Sequence, residues 1–339
     1  MTSVTGFSIG IVGAGLSGLV AAEQLASSGH RVLVTERGSS PGGRLATRRI
    51  GAAFVDHGAQ FFTVRSDRFR TDVDAWIEAG VVDEWCQGFD KVDGFPRYRA
   101  DGGMSALARH LAERAVRAGA TVATKVRTTA VIRGAVDWTL THDHWVREPD
   151  EVDAVLLTAP MPESLALLAA GGVKPADPAL ADITYHRCLA LLATVDPAAT
   201  FTLPEAGATQ QPADPAFSFI ADNHRKGISP VPALTFHTAH ALSAELWDAS
   251  DKDVTARLVP SAAAAVGLEP SDFVDVQLKK WRFTGPVIPW PDRYAVAAGQ
   301  PRPVLLAGDA FGGPKVEGAF LSGVAAATAI TEFLTESPR

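Results

Sequence analysis

A chain of 339 residues has room for two domains, or for one large α/β domain carrying an insertion. Its 47% hydrophobic share against 20% charged residues supports a large core and excludes extensive disorder. The net charge of −7, with no block of like charge, argues against a nucleic-acid partner; two distant cysteines, Cys86 and Cys188, exclude a disulfide framework or dithiol pair and point to the cytosol.

The opening IGIVGAGLSGLVAAEQL, Ile9 to Leu25, does not read as an export signal. No Lys or Arg precedes Arg31, and glycines interrupt the apolar run. It reads instead as a strand through Ile9, Ile11 and Val12, a turn at Gly13-Ala14-Gly15, and a helix from Leu16 to Ala26 that stops at Gly29. Gly13 permits the sharp turn, Gly15 lets a diphosphate approach the backbone, and Gly18 lets the helix pack closely on the strand. The helix start offers free N–H groups and a partial positive charge to phosphates. A second strand, Arg31 to Thr35, ends in Glu36, where a carboxylate accepts hydrogen bonds from the ribose hydroxyls of an ADP moiety.

Further along, Gly42-Gly43-Arg44 forms a second small-residue turn whose guanidinium suits a pyrophosphate or a flavin edge, whereas Arg48 and Arg49 read as solvated loop arginines. Met104 to Ala118 has helical spacing, Thr121 to Val126 reads as a strand, alternating runs surround Val131 to Leu140, and Asp153 to Pro160 is an apolar strand stopped by proline. Prolines and glycines mark a break over Pro160 to Pro178. From Ala190 to Val287, β-like pieces mix with one helix starting at Ser243 and running to Asp248 or beyond. The end returns to the opening pattern. PVLLAGDA is an apolar strand carrying Gly308-Asp309, suited to a ribityl or phosphate-linked hydroxyl chain, and Val316-Glu317-Gly318-Ala319 opens a long helix whose dipole would stabilise negative charge on a reduced flavin.

The segments GAGLSGLVAAEQL, TERGSSPGGRLATRR, GDAFGG and VEGAFLSG resemble the FAD-binding framework shared by amine oxidases, protoporphyrinogen oxidases and phytoene desaturases. DHGAQFFTVRSDRF from Asp56, GGMSALARHLA from Gly102 and KKWRFTGPVIP from Lys279 resemble the renalase branch, especially its bacterial members. The resemblance spans almost the whole chain and is weakest over 170–275. It implies an α/β fold: a discontinuous Rossmann-like FAD-binding domain with an inserted α+β substrate domain, as in amine oxidases. The FAD domain is expected over 1–64, 96–168 and 290–339, and the substrate domain over 65–95 and 169–289. FAD is expected to bind non-covalently, contacted by Gly13, Gly15, Leu16, Ser17, Gly18, Glu36, Arg37, Gly43, Arg44, His57, Gly58, Ala59, Gln60, Val126, Gly308, Asp309, Gly318 and Ala319.

The activity implied is oxidation of the 2- and 6-dihydro isomers of NAD(P)H to NAD(P)⁺, with O₂ reduced to H₂O₂. Aromatisation of the nicotinamide drives hydride transfer to flavin N5, so no general base is needed and positioning does most of the work. The positioning candidates are Gln60, Phe62, His237, Trp281 and Arg282. Each has a plainer reading: His57 and Gln60 as partners for backbone groups, His237 and Trp281 as core residues, Arg282 as a solvated arginine. Neither His142-Asp143-His144 nor His237-x-x-His240 has a third metal ligand at a recognisable spacing, and no nucleophile motif occurs. An amine oxidase, an aromatic hydroxylase and a non-catalytic flavin or dinucleotide sensor remain open. A hydroxylase typically has Ala and His after the GD pair, where this chain has Ala310-Phe311. A small dinucleotide and O₂ are the expected partners, with no nucleic acid or membrane; the pattern does not speak to oligomeric state.

Overall fold

The structure, a computed structural model, describes residues 6–143, 147–313 and 315–336. Of the segments considered above, His144 lies outside the described residues. The chain forms two compact units, one of residues 1–43, 108–184 and 285–339, the other of 44–107 and 185–284. The sequence reading grouped 44–64 and 96–107 with the nucleotide domain and 169–184 and 285–289 with the substrate domain; each segment here packs with the other unit.

The first unit is built on a six-stranded sheet. Ser8–Val12 pairs in parallel with Arg31–Glu36 on one side and with Ala154–Leu157 on the other. Thr121–Thr124 extends the sheet beyond Arg31–Glu36, and Val304–Leu306 followed by Ala295–Ala298 extends it beyond Ala154–Leu157. Ile9, Ile11, Val155, Leu156 and Leu305 are fully buried, the continuous apolar pattern of strands covered on both faces. The crossover after Thr121–Thr124 is a three-stranded antiparallel meander, Thr128–Arg133, Trp138–His142 and Asp150–Val152, in place of a helix.

Two helices pack on each other by way of small residues. Leu16–Ser27 follows the first strand, and a Cβ at Gly18 would lie 2.1 Å from the Gly13 carbonyl oxygen. A Cβ at Gly323, on the last helix Lys315–Glu336, would lie 2.4 Å from the Ser17 carbonyl. By length and composition this last helix could cross a bilayer. Half of it is buried inside the unit, Phe320, Ala326, Ala327 and Ile330 included, which is the pattern of a core helix.

The second unit carries a five-stranded antiparallel sheet in the order Ala208–Gln210, Phe217–Asp222, Ala233–Thr238, Cys188–Val195, Phe273–Trp281. Alternation sorts its residues: Leu189, Leu191, Leu234 and Phe236 pack on the helix Asp251–Val266, while Ala190, Leu192 and Ala233 pack on Ile50, Ala53 and Val55. The latter belong to the hairpin Thr47–Ile50 and Ala53–Asp56. Arg48 is therefore a half-buried strand residue rather than a solvated loop arginine, with its Nη1 donating to Gln277 Oε1 at 3.1 Å.

Four helices depart from the sequence reading. Asp67–Glu78 was not anticipated; Ser66 caps it and Phe69, Val73 and Trp76 form its buried stripe. Met161–Ala170 occupies what read as a break, because Pro162 sits in the first turn, where the missing N–H would be unpaired anyway. The expected helix at Ser243–Asp248 is instead the short His240–Glu245, followed by the sixteen-residue Asp251–Val266, whose Pro260 lies on its exposed side.

Candidate functional site

In the first unit the expected cofactor residues gather at the carboxyl ends of the parallel strands, on both sides of Ser8–Val12, where the strand order reverses direction and α/β sheets bind ligands. Gly13 has φ +108°, and a Cβ there would meet Thr158 Oγ1 at 2.6 Å. Thr158, which the sequence reading missed, bonds through this hydroxyl to the carbonyls of Val12 (3.1 Å) and Gly13 (3.0 Å). Gly15 differs in kind. Its φ of −75° and ψ of 177° suit any residue, and a Cβ would meet nothing within 4 Å. Neither backbone nor packing requires glycine there, and the space beside its Cα is open.

Three more observations fit a diphosphate at Gly15. The helix starting at Leu16 has no side-chain cap and no acidic residue in its first turn, so its leading N–H groups are available to an anion. Ser17 is buried with its Oγ unpartnered. Gly42 runs alongside, its N–H donating to Ala14 O at 2.8 Å, and Gly43, at φ +56°, would place a Cβ 3.7 Å from Gly15 Cα. Glu36 is held in place by two backbone donors: Oε2 accepts from Ala14 N at 3.0 Å and Oε1 from Gly38 N at 2.6 Å, and each oxygen keeps a lone pair.

The remaining first-unit candidates are placed as follows. Val126 is buried and its N–H donates to Glu36 O. Arg37 is exposed and pairs with Glu163 at 3.0 Å, an interaction worth about 0–1 kcal/mol. Gly308, at φ +134°, donates its N–H to Ser322 Oγ at 2.8 Å, which fixes the turn holding the buried Asp309 against the last helix. Gly318 serves close packing, since a Cβ would lie 1.8 Å from Gly313 O; Ala319 beside it is half-buried. That helix begins at Lys315, one residue before the expected Val316.

In the second unit, the candidates from DHGAQFF converge with those from the sheet. Gly58 allows the turn to press on Arg44, where a Cβ would lie 2.0 Å from the carbonyl oxygen; Ala59 N donates to the same oxygen at 2.9 Å. Arg44 itself donates to Phe283 O at 3.3 Å. The His57 carbonyl accepts from Trp281 Nε1 at 2.6 Å and from His237 Nε2 at 3.3 Å. The His57 ring stacks on Trp281 at 5.3 Å, and its Nδ1 is buried without a partner. Gln60 Nε2 donates to Asp56 O (2.7 Å) and Gly58 O (3.3 Å), which leaves Oε1 as a buried acceptor with no partner. His57 Nδ1 and Gln60 Oε1 are thus two buried polar atoms without a partner inside the chain.

Both histidines are held neutral. Burial, then the charges of Arg48 and Lys279, pushes His57 down to about 3; burial, partly opposed by the bond to the His57 carbonyl, pushes His237 down to about 4. As Nε2 of His237 faces a carbonyl, it carries the hydrogen, and Nδ1 keeps its lone pair. For a histidine whose folded pKa lies below 6.5, the unfolded chain binds more protons between the two values, so folding is undiminished above about 6.5 and weakens as pH falls toward 4 and 3. Urea unfolding of the protein is expected to show this loss, about 5 kcal/mol at most for His57, and His57→Gln is expected to flatten it.

Two candidates fall outside this cluster. Phe62 is a core residue, stacked on Tyr98 at 5.6 Å and edge-on to Phe69 and Trp76. In an extended segment neighbours point to opposite sides, so Phe61 takes the other side, with Trp85, Phe89 and Phe219; Phe219 in turn lies 6.4 Å from His237. Arg282 is exposed.

Sequence reasoning also missed what anchors the cluster. Asp56 and Lys226, both fully buried, pair at 2.6 Å. Asp56 Oδ1 accepts from Met104 N at the start of the helix Met104–Arg117 and from Thr47 Oγ1, and the Asp56 carbonyl accepts from Gln60 and from Thr235 Oγ1. Burial pushes Lys226 down, with the Asp56 carboxylate opposing. Lys226 stands 170 residues from its partner and has no local motif that announces it.

Both cysteines are free thiols, and burial pushes Cys188 up to about 12, which leaves it unreactive. His142 bonds to Asp150 and Thr128, and His240 stacks on His186 at 4.1 Å; among the described residues no group of three or more His, Cys, Asp or Glu could hold a metal.

Comparison with known proteins agrees with this architecture. The family model described as NAD(P)-binding Rossmann-like domain matches residues 11–76, and the one described as flavin containing amine oxidoreductase matches residues 83–331. Two curated relatives from Arabidopsis thaliana, lysine-specific histone demethylase 1 homolog 1 and homolog 2, are 62% identical over 40 residues and 57% identical over 44. Those matches cover 12% and 13% of this chain but 5% and 6% of the relatives, so the chain spans a small fraction of their length. Among solved structures, a provisionally assigned protoporphyrinogen oxidase from Exiguobacterium sp. 255-15 superposes with a TM-score of 0.72 at 15% identity, covering 99% of this chain and 100% of the other. A cofactor-binding redesign of putrescine oxidase superposes with a TM-score of 0.71 at 15% identity, covering 97% and 99%. At such identities the likeness establishes the fold, and the long family match establishes more: this chain belongs to the flavin containing amine oxidoreductase family.

Proposed function

We propose that the chain is an FAD-dependent oxidase of the renalase type, which converts the 2- and 6-dihydro isomers of NAD(P)H to NAD(P)⁺ with O₂ as electron acceptor. The bound FAD would supply the hydride acceptor and pass the electrons on to O₂. The chain's own residues would do three things. Gly15, Ser17 and the free helix start hold the diphosphate, and Glu36 holds the ribose. Gly308 and Asp309 serve the ribityl side. In the second unit, Trp281 offers a flat face whose orientation its bond to the His57 carbonyl fixes, and Gln60 Oε1 and His57 Nδ1 are acceptors available to the carboxamide N–H groups.

The observation that carries this reading is that the aromatic cluster contains no base that titrates near neutral pH. His57 and His237 stay neutral, and Lys226 is consumed by Asp56. Oxidation driven by aromatisation of the substrate needs none, whereas the site can orient a flat ring well. The family name favours a second reading, an amine oxidase. Steady-state peroxide formation decides between them: borohydride-treated NAD⁺, which contains the isomers, is expected to support turnover, and benzylamine or putrescine is not. Turnover of either amine without turnover of the isomers would overturn the proposal.

A further inference from the structure

Alternation along the edge strand Phe273–Trp281 puts Gln277, Lys279 and Trp281 on one face. The register identifies that face, because Gln277 is paired with Leu192 and Lys279 with Ala190, the residues that pack on the hairpin. From the hairpin, Arg48 reaches the same place and bonds to Gln277. Lys279 Nζ lies 5.0 Å from the Trp281 ring centre, and Trp281 stacks on His57, whose buried Nδ1 has no partner.

Two half-buried cations thus crowd one imidazole and help to keep it neutral. Among the described residues neither has a carboxylate within ion-pair distance. The neighbouring Lys280 does, at 3.2 Å from Asp251, and Asp275 on the same strand is exposed. In a chain of net charge −7 acids are abundant, so leaving this pair without one is a local choice. Like charges held together without a counterion repel, and a ligand that supplies the missing negative charge gains in proportion.

We propose that Arg48 and Lys279, beside Trp281 and His57, form an anion subsite that receives a phosphate of the substrate dinucleotide. The proposal rests on the functional reading above and extends it. Arg48 offers a planar fork that matches phosphate oxygens, Lys279 a mobile point charge, and Trp281 the adjoining surface for the sugar or ring. The same pair repels an alkylammonium substrate.

The test uses the FAD-loaded protein and inorganic pyrophosphate as probe, with binding read by titration calorimetry at low salt. The parent is expected to bind, Arg48→Gln/Lys279→Gln to bind at least tenfold more weakly, and the charge-conserving Arg48→Lys/Lys279→Arg to stay within a few-fold of the parent. Equal binding by the parent and the neutral double variant overturns the proposal, as does binding by the flavin-free protein alone, which would assign the cations to the cofactor. A second arm compares flavin reduction by the 2- and 6-dihydro forms of nicotinamide mononucleotide and by the same forms of the riboside that lacks phosphate. The parent is expected to favour the mononucleotide in kcat/KM by tenfold or more, and the neutral double variant to bring that ratio close to one. If neither compound reduces the flavin while pyrophosphate binding still depends on the two cations, the functional reading fails and the anion subsite stands.

Discussion

Lys226→Met is expected to lower the unfolding free energy by about 3–5 kcal/mol, the cost of leaving a buried carboxylate without its counterion. Both partners are fully buried, with Nζ 2.6 Å from Asp56 Oδ2 and 5.0 Å from the Trp85 ring centre. Methionine fills a similar volume, so the loss is electrostatic rather than a cavity effect. Asp56→Asn/Lys226→Met is expected to recover part of the loss, because no uncompensated charge remains, although an amide serves Met104 N and Thr47 Oγ1 less well than a carboxylate. Urea unfolding with an unchanged m-value is the measurement. A single variant within about 1 kcal/mol of the parent would mean that the pair is not the anchor described here.

Gly15→Asp is expected to separate folding from cofactor binding. Aspartate is among the best helix N-caps and its charge suits a helix start, so the flavin-free protein is expected to be as stable as the parent or up to about 1 kcal/mol more so. Its Cβ would enter open space, and φ and ψ need not change. Yet the carboxylate would take the N–H groups assigned to the diphosphate and repel it, and FAD affinity is expected to fall by about 100-fold or more, about 2.7 kcal/mol. Gly18→Ala makes the contrast. Its Cβ would lie 2.1 Å from the Gly13 carbonyl oxygen, and overpacking there is expected to cost about 1–3 kcal/mol of folding stability. Thermal unfolding of the flavin-free proteins and FAD titration separate the two effects; a Gly15→Asp protein that retains full FAD affinity would contradict the placement of the diphosphate.

The contrast between these two glycines shows what can be read along a chain. Their places follow from a strand, a turn and a helix that are contiguous, so spacing alone predicts them. Glu36 follows from the end of the next strand. The second unit is less legible, because its cluster is assembled from segments far apart: His57 from just after the hairpin, His237 and Trp281 from two strands of a sheet, and Lys226 from a turn that buries its ammonium against Asp56. Phe62 lies in the core against Tyr98, whereas Phe61, one residue earlier in an alternating segment, takes the opposite side beside Phe219. Helix Asp251–Val266 was obscured by Pro260, although Ser250 and Asp253 at its start and Gly267 in the left-handed conformation at its end mark both boundaries.

All the functional steps proposed depend on electrons passing from a dihydronicotinamide to flavin without the help of a titrating side chain. Anaerobic rapid mixing of the FAD-loaded protein with each purified dihydro isomer tests this directly. The account expects the visible flavin band to bleach in a single phase whose rate is flat from pH 6 to pH 9, with NAD(P)⁺ formed in equal amount and H₂O₂ released when air is readmitted. A flavin band unchanged by both isomers, or a bleaching rate that follows a titration near neutral pH, would contradict it.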